Sequence, residues 1–169
     1  IIWVSRNSLS QPNTHGFYRT FAWEILLVLF VLNIQDWFRN PWSWHQLLSW
    51  LLLMVSLLLA VQGFRLLRAI GKQDNNRVDP SLLGLEKTSR LVTENLYQYI
   101  RHPLYSSLLF LGWGIFFKSP SWLDGGLVLL ITLFLTATAF VEEAENIRFF
   151  GEEYREYMLR SKRFIPFVF

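Results

Sequence analysis

Between Leu47 and Val61 the chain holds only aliphatic residues, one Met, two Ser and one Trp. The surrounding stretch, Trp42 to Leu67, is long enough to cross a hydrocarbon core about 30 Å thick, which takes roughly 20 residues of helix. A helix of a soluble bundle needs a polar face, and this one has almost none. Three more stretches read the same way: Phe17–Phe38, Pro103–Phe117 and Trp122–Val141. The first is the least regular, with Glu24 near one end of its clean core, Ile25 to Ile34. Trp42, Trp44, Trp113 and Trp122 fall at or within a turn of proposed span ends, where interfacial aromatics gather. The expected fold is all-α: a polytopic membrane helical bundle of about four transmembrane helices, with a cytoplasmic C-terminal helical segment, in one membrane domain over residues 1–169.

Composition removes several classes of function. Hydrophobic residues make up 52% of the 169 and charged residues 17%, against about 25% charged in an ordinary soluble chain, so a disordered chain is excluded. With no Cys there is no disulfide scaffold, thiol nucleophile or zinc–cysteine site. Three His make a histidine-rich metal centre an unexpected reading, and no metal is expected.

Charge placement gives a topology. All but two of the 16 basic residues lie in three places. Arg6 and Arg19 are in the first 20 residues; Arg65, Arg68, Lys72, Arg77, Lys87, Arg90 and Arg101 are in the loop 65–101; Arg148, Arg155, Arg160, Lys162 and Arg163 are in the tail. Only Arg39 and Lys118 fall in the short connections. The positive-inside rule then puts both termini and the long loop in the cytoplasm of an inner or plasma membrane. The net charge of +3 is accounted for by these loops, and no nucleic acid is expected. The chain opens on Ile1-Ile2, without Met and without a visible signal peptide, so a further N-terminal span is a possible expectation.

Local signals agree. Asn40-Pro41 breaks between the first two spans. Pro103 suits the first turn of the third, with His102 just outside it. Ser119-Pro120 reads as a cap followed by Pro at the first position of the fourth, and so short a link makes the last two spans a hairpin. Gly71 to Pro80 (GKQDNNRVDP) is polar and reads as a flexible loop.

Two segments carry chemistry. Tyr97–Tyr105 (YQYIRHPLY) sits where the loop enters the third span. It places Arg101 and His102 at a helix N-terminus, whose free N–H groups and positive dipole end suit a carboxylate. The same residues also read as a snorkelling Arg among Tyr anchors. Val141–Arg160 (VEEAENIRFFGEEYREYMLR) follows the fourth span. Glu152–Arg155 and Glu156–Arg160 have the spacing of pairs on a solvated helix. Glu142 and Glu143 differ, because a carboxylate at the membrane boundary is costly unless paired or functional. If the fourth span ends beside Arg101, opposite charges meet there. Gly151 is placed to bend the chain back over the membrane face, and Pro166 stops any helix in the tail.

Leu91-Val92-Thr93, Tyr97, Arg101–Tyr105, Glu142-Glu143, Phe149–Tyr157 (FFGEEYREY) and Arg163–Phe167 (RFIPF) occur in that order. Together they resemble the integral-membrane isoprenylcysteine carboxyl methyltransferase family and its bacterial relatives. The resemblance covers Leu91 to Phe167; residues 1–90 carry no family motif, leaving 91–169 as the methyltransferase-like core. It implies S-adenosylmethionine as cofactor and methyl donor, in a cytoplasmic-side pocket lined by Tyr99, His102, Pro103 and Tyr105 and closed by Tyr154 and Tyr157. Arg101 with Glu142 or Glu143 would hold the reacting end, the choice between the two glutamates staying open. The acceptor, a lipophilic small molecule, lipid or prenylated substrate, would approach through the bilayer. Two positions depart from the pattern: Glu94-Asn95-Leu96 stands where small residues are usual, and Ser107 where a Gly is.

Methyl transfer from a sulfonium is a direct displacement that needs an aligned nucleophile at the right distance. A carboxylate acceptor is already ionised and needs only an orienting Arg. An amine or thiol needs a base, which Glu142, Glu143 or His102 could supply. A non-catalytic anchoring or assembly protein would explain the spans equally well, though not the paired motifs. A membrane reductase of related fold is the other alternative, although no Gly-rich dinucleotide fingerprint is present.

Overall fold

The computed structural model describes residues 14–71 and 90–168, and within them five α-helices and two short 3₁₀ turns. Helix α1 is His15–Asn33, extended by a 3₁₀ turn to Asp36. Helix α2 is Trp44–Ile70, α3 Pro103–Phe116, α4 Trp122–Phe150 and α5 Glu152–Arg160. The second 3₁₀ turn, Asn95–Gln98, precedes α3. Arg6, Lys72, Arg77, Lys87 and most of the Gly71–Pro80 loop lie outside the described residues.

Three helices, α1 with its extension, α2 and α4, are long and apolar enough to cross a membrane. The fourth expected span is shorter: α3 has 14 residues, roughly 21 Å at 1.5 Å per residue. Pro103 fixes its start, with His102 at the N-cap. Lys118 and Pro120 limit its end. Helix α4, in contrast, runs past Val141 to Phe150, so Glu142 and Glu143 lie on the same rigid rod as the apolar segment. Its cap is Ser121, whose Oγ accepts from the Asp124 N–H at 3.1 Å. The cap expected at Ser119 is thus displaced by two residues, and Pro120 precedes the helix rather than opening it.

Helix α2 packs along α3, α1 packs along α4, and α3 touches all three long helices. The core joins Ala22 and Leu29 of α1, Tyr105 and Ile115 of α3, Val128, Ile131, Leu135 and Ala139 of α4, and Phe164 of the tail. Outside it, Leu51, Leu57, Leu58 and Leu133 are exposed, the surface a bilayer would cover. In lipid, apolar burial gives helices little reason to associate, so close packing and interhelical hydrogen bonds must do so. Both are present between α2 and α3. Ser49 Oγ donates to the Gly114 carbonyl at 2.6 Å and Ser56 Oγ to that of Ser107 at 2.7 Å. A Cβ on Gly114 would come within 2.9 Å of Leu53, so only Gly lets the helices lie this close.

At the other end of α3 the tail folds back. Lys162 N–H donates to the Tyr99 carbonyl at 2.9 Å. Arg101 and His102 N–H groups donate to the Lys162 and Arg163 carbonyls at 2.8 and 3.1 Å. This one-bridge parallel pairing of Ile100 with Lys162 brings the YQYIRHPLY and RFIPF segments together. Gly151 makes the fold-back possible: its φ of 63° and ψ of −131° belong to a region essentially reserved for glycine. Asn95, with φ 55°, lies in the left-handed region, which Asn tolerates better than most side chains.

Candidate functional site

The end of the bundle where α3 begins gathers most of the charged groups that the sequence singled out. Glu143 is 3% exposed and is held by two guanidiniums. Arg101 Nε donates to its Oε1 at 2.8 Å. Arg163 Nε donates to Oε1 at 3.1 Å and Nη2 to Oε2 at 2.7 Å, the two-pronged geometry that makes Arg–carboxylate pairs strong. Arg163 also lies over the Phe140 ring, 3.9 Å from its centroid. Arg101 Nη1 turns the other way, donating to the Met158 carbonyl at 3.2 Å and to the Ser161 carbonyl. It thereby caps the C-terminus of α5, where a cation meets the negative end of the helix dipole. Both lone-pair faces of Glu143 are therefore committed to holding α3, α4 and the tail together.

Glu142 sits one residue earlier, about 100° around the helix, and faces a different neighbourhood. Tyr105 Oη donates to its Oε2 at 2.5 Å. His102 Nδ1 lies 3.9 Å from the same oxygen. The His102 ring stacks on Tyr105 at 5.4 Å between centroids and is 5% exposed. Its Nε2 is 3.4 Å from Glu143 Oε1 yet has no aligned hydrogen-bond partner.

Glu142, His102, Arg101, Tyr97 and Leu67 line two adjoining recesses of about 70 Å³ each. Pro103 and Tyr105 complete one; Asn146, Tyr154 and Tyr157 help complete the other. Burial raises the hydroxyl pKa of both Tyr154 and Tyr157 well above the ordinary range. For Tyr154 the Glu142 charge adds to this, and for Tyr157 Arg101 opposes it. Both are thus neutral donors at any working pH. Tyr157 Oη donates to the Tyr97 carbonyl at 2.6 Å. It also lines a wider polar cleft of about 600 Å³, with Thr93, Gln98, Glu153 and Arg160.

Of the residues expected from sequence, Arg101, His102, Pro103, Tyr105, Glu142, Glu143, Tyr154 and Tyr157 meet in one region. Tyr99 does not reach the recesses. It is half exposed in the wider cleft, against Phe167 at 6.0 Å. Two residues join that were not singled out for the site: Arg163 and Tyr97. The signal for Arg163 was present, a basic residue opening the RFIPF segment opposite an acidic pair. Among the described residues no group of three or more His, Asp or Glu has the arrangement of a metal site.

The recesses place one carboxylate, Glu142, among tyrosines. A sulfonium is stabilised by a carboxylate and by aromatic faces, and Glu142, Tyr97, Tyr105 and Tyr154 supply both. One of them and the wider cleft share Tyr157.

Comparison with known proteins gives one informative match. A stretch of 94 residues, 54% of this chain, is 32% identical to Methanethiol S-methyltransferase 1 of Bradyrhizobium diazoefficiens. That stretch spans 32% of the relative's length, so the chain covers about a third of it. No protein-family model and no solved structure matches. The match supports a methyltransferase at a coarse level, and with three apolar helices it supports a location in the membrane.

Proposed function

We propose that this chain is a membrane methyltransferase that uses S-adenosylmethionine and acts on a lipophilic thiol, with its site at the cytoplasmic face. The observation that carries the reading is the division of labour between the two adjacent glutamates. Glu143 is consumed by Arg101 and Arg163, whereas Glu142 faces the recesses with Tyr105 and His102 beside it. A fold that needed only a clasp would need only Glu143.

When bound, the donor supplies an electrophilic methyl group, whose carbon–sulfur bond breaks as the new bond forms and leaves a neutral thioether. This chain's residues would do the rest. Glu142 accepts the proton that a thiol must lose to become a nucleophile. Tyr105 Oη, already hydrogen-bonded to Glu142, holds that carboxylate in place. Tyr97 and Tyr154 wall the recess around the donor's cationic end. Arg101 and Glu143 position His102 by fixing the start of α3. A thiol is favoured over a carboxylate because both guanidiniums near the site already hold Glu143, leaving no bidentate partner to orient an anionic acceptor. The relative's name points to a thiol too.

Calorimetry on protein in lipid nanodiscs tests this. S-adenosylmethionine and its demethylated product should both bind saturably, and Glu142→Gln should weaken the donor more than the product, because only the donor carries the sulfonium charge. Absence of binding by folded protein would refute the reading.

A further inference from the structure

Around the start of α3 the formal charges of Glu142, Glu143, Arg101 and Arg163 cancel overall but not locally. Both guanidiniums are spent on Glu143. Among the described residues no Arg or Lys pairs with Glu142, and the one group there that can become a cation beside it is His102.

His102 stands between the two carboxylates. Its Nδ1 is 3.9 Å from Glu142 Oε2 and its Nε2 3.4 Å from Glu143 Oε1. The side chain is 4% exposed, and Nε2 is buried without an aligned partner. Tyr105 stacks on one side of the ring and Phe164 packs against it, so the ring is held in this position. A neutral imidazole brings one donor to these two acceptors, and a protonated one brings two. The other polar groups around it bring no competing charge. Tyr97, Tyr105, Tyr154 and Tyr157 supply hydroxyls, and α2 contributes only Leu67 to the recesses.

We propose that His102 is a positioning residue that exchanges one positive charge with the methyl donor. It carries a proton when the recess is empty or holds product, and loses it when a sulfonium comes to rest beside Glu142. The inference rests on the S-adenosylmethionine reading and deepens it. Imidazolium and sulfonium compete because both need the same carboxylate, and two cations sharing it repel each other. The balance closes over a reaction cycle. The thiol's S–H bond breaks and Glu142 takes the proton. The sulfur's freed electron pair makes the new bond to the methyl carbon, and the pair of the broken carbon–sulfonium bond stays on the departing, now neutral sulfur. One positive charge has left the donor and one proton remains, which passes from Glu142 to His102 Nδ1. The next donor expels it to water.

The sign of the pH dependence follows. An imidazole ordinarily changes charge between about pH 5 and 8. Toward the acid end of that range the donor must displace a proton, so its affinity falls as pH falls. The demethylated product has no sulfonium, displaces nothing and keeps its affinity.

Calorimetry in nanodiscs across that range, in buffers of different protonation enthalpy, reads the exchange. Toward the acid end, S-adenosylmethionine should release about one proton on binding and bind about tenfold more weakly; the product should do neither. By reciprocity, saturating donor should move the His102 titration down by about one pH unit. That shift is followed by magnetic resonance of nitrogen-labelled histidine, the chain having three histidines. His102→Gln and His102→Asn should each flatten the donor profile. An acid limb that persists in both would assign the proton to Glu142 itself and overturn the proposal. If neither variant folds, the titration in the unaltered chain decides, and a titration unmoved by donor overturns the proposal. Trimethylsulfonium in excess separates this inference from the reading beneath it. A His102 shift with trimethylsulfonium but no binding of S-adenosylmethionine would remove the methyltransferase reading and keep the exchange. Binding of S-adenosylmethionine with a level pH profile and no shift would do the reverse.

Discussion

The two ends of the bundle both bury charge, and they handle it differently. At the end away from the cluster, Lys118 is 1% exposed. Its Nζ lies 3.4 Å from the Trp50 ring centroid and 5.0 Å from that of Trp37, and it donates to Gln46 Oε1 at 3.1 Å. Gln46 Nε2 in turn donates to the Asp36 and Lys118 carbonyls at 2.9 and 3.1 Å. Every polar atom of the Gln46 side chain is used, and neither residue lines any of the cavities described above. At the cluster end, the Arg101–Glu143–Arg163 clasp is equally complete, but Glu142 borders the recesses and His102 Nε2 is buried without an aligned partner. A buried network whose groups are all satisfied specifies structure; one with capacity facing a cavity can act on a ligand. Substitutions can break or sharpen that contrast.

The largest effect belongs to the clasp. Glu143→Ala leaves two guanidiniums facing each other without their carboxylate. Removing one partner of a buried pair costs about 3–5 kcal/mol, so the melting temperature in detergent should fall steeply or the protein should fail to fold. A melting temperature within a degree or two of wild type would mean that Glu143 is not the clasp.

Glu142→Gln is the complementary change. It keeps the shape and can still accept from Tyr105, so stability should shift by no more than about 1 kcal/mol. Methyl transfer to a thiol should drop about 10²–10⁴-fold, the range for loss of a general base. A rise in the pH optimum should accompany the residual activity, because the thiol must then ionise unaided. Equal losses of stability from Glu142→Gln and Glu143→Ala would erase the distinction on which the proposed function stands.

Gly151→Ala probes what holds α5 over the cluster. A Cβ there meets nothing within 4 Å, so the cost is purely conformational, about 1–3 kcal/mol for a side chain forced into that region. The signature is a lower melting temperature with donor affinity reduced in step, since Tyr154 and Tyr157 ride on α5.

Lys118 gives a pH test of the opposite end. Burial pushes its pKa from the ordinary 10.5 down to about 8. Between those values the unfolded chain keeps a proton that the folded chain has shed, so stability from this group rises with pH across that window. Lys118→Met should flatten the rise in a melting-temperature series from pH 7 to 10.5. The two Trp faces and Gln46 offset part of the cost of burying the ammonium, so the change at neutral pH should be small. Methyl transfer should not respond.

Much of this was readable from the chain. Apolar runs located all four hydrophobic helices, because a bilayer-length segment without a polar face has few alternatives. The pairing of Arg101 with an acid past the apolar part of the last long helix followed from charges that would otherwise be stranded at a membrane boundary. Which acid could not follow: Glu142 and Glu143 differ only by a rotation of about 100°, and their partners come from α3 and from a tail some twenty residues on. The cap of α4 is itself legible in the chain. Ser121-x-x-Asp124 is a capping-box pattern, and Asp124 Oδ2 accepts from Ser121 Oγ at 2.6 Å. Lys118 read as the lone cation of a short link, because its burial depends on Trp37, Trp50 and Gln46, which only the packing of two hairpins brings near.

The smallest expected effect lies in the same acidic run as the largest. Glu156 reaches Arg160 at 3.8 Å, with their side chains 64% and 80% exposed. Glu152 reaches Arg155 at 3.7 Å in a similar setting. Exposed pairs of this kind gain little, because water already solvates both charges and ordering two long side chains costs entropy. Glu156→Ala should therefore leave the melting temperature unchanged within error, with any shift vanishing in 0.5 M salt. Glu156 also borders the wider cleft, so the same variant asks whether the donor extends past Tyr157. A weaker donor affinity at unchanged stability would carry the binding site out over α5; an unchanged affinity would confine it to the recesses that Glu142 faces.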